Sequence, residues 1–129
     1  MMEERESHPI LVIDDDSELR ESLALLLALK GYEVVTARDG REALETLQGG
    51  PRPCLIVLDL MMPERDGLQF RRLLLEDPML ATIPVVLCSG HPTAPHLAKQ
   101  LGVVACFEKP FDVQLLLGIV ASQAQSVAA

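Results

Sequence analysis

The sequence predicts an α/β domain with a parallel sheet covered by helices on both faces, on three observations. Five short apolar runs alternate with five helical segments along 129 residues, and such alternation predicts parallel strands joined by right-handed crossovers. The runs are apolar at nearly every position, as strands buried on both faces are. Hydrophobic residues make up 49% of the chain and aromatics only 3%, so the core is built from Val, Leu, Ile and Ala.

Each element has its own local justification. Residues 1–8 read as a frayed tail. Pro9-Ile10-Leu11-Val12-Ile13 is the first strand and ends in Asp14-Asp15-Asp16. Ser17 reads as an N-cap, and Leu19, Leu23, Leu26 and Leu27 recur at helical spacing up to Lys30, where Gly31 closes the helix. Glu33-Val34-Val35-Thr36-Ala37 is the second strand. Asp39-Gly40 turns into a helix over Arg41–Gln48, with Ala43, Leu44 and Leu47 inward and Gly49-Gly50 as the stop.

Pro51 and Pro53 bar a helix before the third strand, Cys54-Leu55-Ile56-Val57-Leu58-Asp59-Leu60. Met61 to Gly67 turns the chain, and a third helix spans Leu68–Glu76 until Pro78. Pro84 to Cys88 is the fourth strand, ending in Ser89-Gly90. Pro95 opens a short helix that reaches Leu101 and stops at Gly102. Val104 to Glu108 is the fifth strand, leading to Lys109-Pro110-Phe111. Asp112 caps a last helix over Val113–Gln123, whose stripe Val113, Leu116, Leu117 and Val120 faces inward while Leu115 and Ile119 fall off it. Extra apolar surface of that kind is either core or a docking or dimer face, and the expectation is a monomer or weak dimer. The expected organisation is an N-terminal tail (1–8), one domain over 9–123 and a C-terminal tail (124–129), with no internal repeat and no fused module.

Composition narrows the function. The net charge is −8, which disfavours direct binding to nucleic acid, since that runs on Lys/Arg neutralising phosphates. It suits a cation site or a basic protein partner. The three cysteines, Cys54, Cys88 and Cys106, match no metal spacing and read as reduced core thiols in a cytoplasmic protein. The longest apolar run, Leu23 to Leu29, is far short of the ~20 residues that span a bilayer, and the acidic start, Met1 to Glu6, is no signal peptide.

In a parallel sheet every strand's carboxyl end lies on one edge, where open α/β folds place their ligands. Asp14 and Asp15 end strand one, Asp59 ends strand three, Ser89 ends strand four, and Lys109 follows strand five. In a flavodoxin-like, doubly wound (βα)5 fold with strand order 2-1-3-4-5, strands one and three are neighbours. Taken singly, these acids also read as helix caps or turn formers, Ser89 as a turn residue and Lys109 as a surface lysine. Five of them at the ends of four strands is a far less ordinary pattern. Two like charges ~4 Å apart repel by about 4 kcal/mol at an effective dielectric of 20. Lys109 offsets part of that, and Mg²⁺, which takes carboxylate oxygens and water, offsets the rest. Magnesium on a carboxylate rim serves phosphoryl chemistry, and a carboxylate can itself be the nucleophile. Asp59 is then the candidate phosphoacceptor, Ser89 a hydroxyl donor to the phosphoryl group, and Lys109 its cationic partner.

With those residues in view, the sequence resembles the receiver domain of two-component response regulators. The matching pieces are Val12-Ile13-Asp14-Asp15, Leu58-Asp59-Leu60-Met61-Met62-Pro63 with Asp66-Gly67, Pro84 to Ser89, and Glu108-Lys109-Pro110-Phe111; together they span Ile10 to about Val120. The resemblance implies that a histidine kinase or phosphotransfer protein donates a phosphoryl group to Asp59. Mg²⁺ would be held by Asp15, Asp59 and the backbone carbonyl of Met61, with Asp14 acting mainly through a metal-bound water. Ser89 and Lys109 would bind phosphoryl oxygens. The chain would be no enzyme beyond Mg²⁺-dependent self-phosphorylation and autodephosphorylation. As a stand-alone regulator of chemotaxis or phosphorelay type, it would signal through altered docking to a downstream protein, away from any membrane. The kinase would dock along the first helix near Asp16, Leu19 and Ser22 and over Pro110-Phe111.

Three positions are singled out as tuning the switch. The family usually carries an aromatic three residues before the lysine; here that position is Cys106. Met61 and His91, two after Asp59 and two after Ser89, flank the path of the hydrolytic water in the family. Three rivals stand against this reading. A flavodoxin needs a Ser/Thr/Gly-rich phosphate loop where this chain has Asp14-Asp15-Asp16. A haloacid-dehalogenase-type phosphatase needs an acid at Met61. The third, a non-phosphorylated pseudo-receiver, would act only as an interaction module.

Overall fold

Strand β1 (Ile10–Ile13) is buried at all four positions, as an apolar strand enclosed by layers on both sides must be. The computed structural model of the protein describes residues 8–59, 66–89, 99–108 and 113–128. Within them β1 is followed by α1 (Ser17–Leu29), β2 (Val34–Ala37), α2 (Gly40–Gly49), β3 (Leu55–Asp59), α3 (Asp66–Glu76), β4 (Val85–Ser89), β5 (Ala105–Glu108) and a C-terminal helix (Val113–Ala128). The five strands form one sheet in the order β2-β1-β3-β4-β5, every neighbouring pair parallel. This is the doubly wound, flavodoxin-like arrangement the sequence predicts.

Side-chain alternation along the strands divides the core in two. Leu11, Ile13, Ile56, Leu58, Val85 and Leu87 pack with Ala43 of α2 and with Phe70 and Leu74 of α3. Ile10, Val12, Leu55, Val57, Val86 and Cys88 pack with Leu23 and Leu27 of α1 and with Leu116 and Val120 of the C-terminal helix.

Several boundaries differ from the sequence reading. Asp16, not Ser17, caps α1: its carboxylate accepts from the backbone N–H of Glu18 (3.0 Å) and of Leu19 (3.3 Å). Both residue types cap well, and a carboxylate at a helix N-terminus also meets the positive end of the helix dipole. Leu26, which helical spacing groups with Leu23 and Leu27, is exposed, because the latter two, four apart, take the buried stripe. Asp66-Gly67 already belongs to α3. The C-terminal helix runs to Ala128 and does not give way to a tail at 124, since Ala and Gln carry it on with no Gly or Pro to stop it. Leu115 on that helix is 60% exposed, whereas Ile119 packs against the core edge. Of the short helix before β5, residues 99–101 are described, and Gly102 follows in the left-handed region at φ 66°, as Gly31 does after α1 at 97°. None of the three cysteines is in a disulfide, and burial pushes the Cys54 thiol pKa up.

One buried charge among the described residues is cationic. Arg71 is 2% exposed, and it donates from Nε (3.1 Å) and Nη2 (3.0 Å) to the carbonyl of Leu101, tying α3 to the segment that enters β5. Its Nη1 is buried with no acceptor among the described residues, and burial lowers its pKa. Truncation to Arg71→Ala both removes the donors to the Leu101 carbonyl and leaves a void, and should cost about 2–3 kcal/mol. Arg71→Met removes the same donors but fills the space, and should cost clearly less. Urea unfolding of the two variants checks the difference.

Candidate functional site: an acidic rim at the strand ends

The register of the two central strands builds the site. Ile13 pairs with Leu58, so the next residues, Asp14 and Asp59, leave the sheet side by side. Asp14 is 3% exposed and Asp59 5%, held there because the strands that carry them are enclosed on both faces. Asp15 lies outward beside them. One carboxylate oxygen from each of Asp14, Asp15 and Asp59 falls within 4.8 Å of the others.

The turn after β1 is fixed at several points. The Asp14 N–H donates to the Ala37 carbonyl of β2 (3.2 Å). Asp14 Oδ1 accepts from the Asp16 N–H (2.9 Å), an Asx turn that leads straight into the α1 cap. The Asp14 carbonyl accepts from Nη1 of Arg20 (2.8 Å).

The donor set fits a hard divalent cation. Three carboxylates supply oxygen ligands only, which suits Mg²⁺ and leaves positions for water. Within 4.8 Å of each other, the buried Asp14 and Asp59 carboxylates repel by about 3 kcal/mol or more at an effective dielectric of 20, and a bound dication reverses that cost. Asp59→Asn removes one charge and should raise the metal-free melting temperature by a few degrees, since ~1 kcal/mol moves a domain of this size by several degrees. A scanning calorimetry drop of several degrees would contradict the crowded-acid picture.

The other sequence-singled residues are placed as follows. Ser89 is the last residue of β4, paired with Glu108 of β5; its backbone therefore lies on the same edge as Asp59. Cys106 pairs with Leu87 and packs on the α2/α3 side of the sheet, while Phe107 packs on the opposite side. Phe107 thus does not fill the place of an aromatic at 106. Lys109, Met61 and His91 lie outside the described residues. Sequence reading missed Arg20 and Arg71. For Arg71 a signal existed: with Gly67, Phe70 and Leu74 it completes a helical stripe of spacing three, one, three.

Residues 10–121 match the family model described as the response regulator receiver domain, and the chain belongs to that family. Among known relatives, the response regulator MprA of Mycolicibacterium vanbaalenii is 52% identical over 110 residues, covering 84% of this chain and 46% of that protein. The transcriptional regulatory protein CpxR homolog of Haemophilus influenzae is 36% identical with the same coverage. The chain thus spans about half the length of these curated relatives. Among solved structures, a response regulator receiver protein from Pseudomonas putida superposes with a TM-score of 0.83 at 30% identity, covering 91% of this chain and 98% of that one. Chemotaxis protein CheY4 of Vibrio cholerae gives 0.80 at 28% identity with the same coverage. Receiver domains typically bind Mg²⁺ at an acidic pocket and interact with histidine kinases; the acidic cluster is present here. Among the described residues no helix is long and apolar enough to cross a membrane.

Proposed function

We propose that this receiver takes a phosphoryl group from a phosphohistidine onto Asp59 and signals by altered docking to a downstream protein. The observation that carries the reading is the buried pair Asp14 and Asp59, with Asp15 beside it, on one edge of the sheet. A carboxylate oxygen of Asp59 attacks phosphorus; the O–P bond forms, the N–P bond breaks, and the departing histidine nitrogen keeps the electron pair. Mg²⁺, when bound, neutralises charge on the phosphoryl oxygens. Asp15, Asp59 and the Met61 carbonyl would hold the ion, and Asp14 would act mainly through one of its waters. Ser89 and Lys109 are the proposed partners of the phosphoryl oxygens, and His91 and Met61 are the proposed tuning positions for hydrolysis.

The phosphoryl group is a local charge change that biases a two-state element near the β4 and β5 ends. Cys106 is smaller than the family's aromatic, so we assign a looser coupling between the phosphosite and the face around β5. A cytoplasmic location belongs to the same proposal, as the site of the kinase partnership. Incubation with acetyl phosphate should give a slower band on a phosphate-affinity gel in the presence of Mg²⁺ and none in EDTA. Lack of any shifted band with Mg²⁺ would favour the pseudo-receiver that acts through docking alone.

A further inference from the structure

We infer that Arg20, which closes the first turn of α1, is a positioning residue for cation capture by the acidic rim; the inference rests on the Mg²⁺ reading above. Its guanidinium reaches back past the helix N-terminus and donates from Nη1 to the Asp14 carbonyl at 2.8 Å. That carbonyl belongs to the peptide joining Asp14 to Asp15, so the bond fixes the plane from which both side chains project. The Asp14 N–H is tied to Ala37 and Asp14 Oδ1 to the Asp16 N–H. Asp16 in turn caps α1, and its carbonyl accepts the Arg20 N–H at 2.9 Å. Arg20 thereby closes a ring of bonds around the turn through both its backbone and its side chain. Asp15 is exposed, and its side chain makes no hydrogen bond among the described residues. Its backbone is therefore held through the anchored peptide before it.

The two things Arg20 brings act in opposite directions on a cation. Its positive charge beside the rim repels Mg²⁺, and on that ground alone its removal would tighten binding. Its hydrogen bond holds two carboxylate-bearing residues in one arrangement, and loss of that order weakens binding, as loss of groups that orient metal ligands does. Preorganisation is the larger effect in this geometry, because the bond is short and partly buried while the charge is partly solvated.

The test is titration with Mg²⁺ alone, followed by isothermal calorimetry at a temperature where circular dichroism shows every variant folded. Arg20→Met keeps the apolar stem and should bind Mg²⁺ on the order of 10-fold more weakly than the unmodified protein. Arg20→Lys keeps a donor and should recover most of that loss. At saturating Mg²⁺, acetyl phosphate should label Arg20→Met at close to the unmodified rate, since Arg20 acts through the rim and not on the phosphoryl group. Equal or tighter Mg²⁺ binding by Arg20→Met overturns the inference and leaves the metal reading standing. Absence of Mg²⁺ binding in the unmodified protein overturns both.

Discussion

Phe70→Ala should destabilise the protein by about 3–5 kcal/mol, the range for truncating a buried aromatic. Phe70 is among the largest fully buried side chains. It stands on α3 in the core cluster on the α2/α3 side of the sheet, together with Leu58 and Leu87, and the described residues of that cluster include no second ring. Domains of this kind hold together by roughly 5–15 kcal/mol, so one truncation removes a large part of the margin. Equilibrium urea unfolding monitored by circular dichroism should show a lower midpoint with an unchanged slope. Phe70→Leu, which leaves a smaller void, should cost clearly less. Equal losses for the two variants would mean that the core on this side of the sheet is less tightly packed than the structure shows.

Asp59→Asn should reduce phosphoryl incorporation to background with either acetyl phosphate or a phosphorylated kinase as donor. The amide is nearly the same size as the carboxylate, so β3 and its buried end are retained, but the anionic nucleophile is gone. The variant also loses one hard oxygen ligand and one charge, so Mg²⁺ affinity should fall together with labelling. The same substitution should stabilise the metal-free protein, and this combination separates the reading from plain misfolding: a variant that folds better yet cannot be labelled has lost chemistry, not structure. Labelling of Asp59→Asn at the unmodified rate would mean that another side chain is the acceptor.

Much of this was legible in the sequence because the signals are local. The continuous apolar runs at Ile10–Ile13 and Leu55–Leu58 declare buried parallel strands, and in such a sheet their following aspartates must share an edge. The strand order follows from the same wound topology. What escaped was set by competition between neighbours or by tertiary context. Asp16 and Ser17 are both good caps, and only the backbone decides between them. Leu26 and Leu27 are equivalent by composition, and packing against β1 selects Leu27. Arg71 sits on an apolar stripe, yet a charged side chain reads as surface until the Leu101 carbonyl is known to lie within its reach. Arg20 showed no signal of its own, since a helix arginine is ordinarily solvated.

The acidic edge is the claim on which the rest depends, and peptide mapping tests it most directly. After treatment with acetyl phosphate and Mg²⁺, borohydride trapping and mass spectrometry should place a single modification on the β3-containing peptide at Asp59, with none when Mg²⁺ is chelated. A protein that stays unmodified with Mg²⁺ present, or that carries the group at Asp14 or Asp15 instead, would contradict the account.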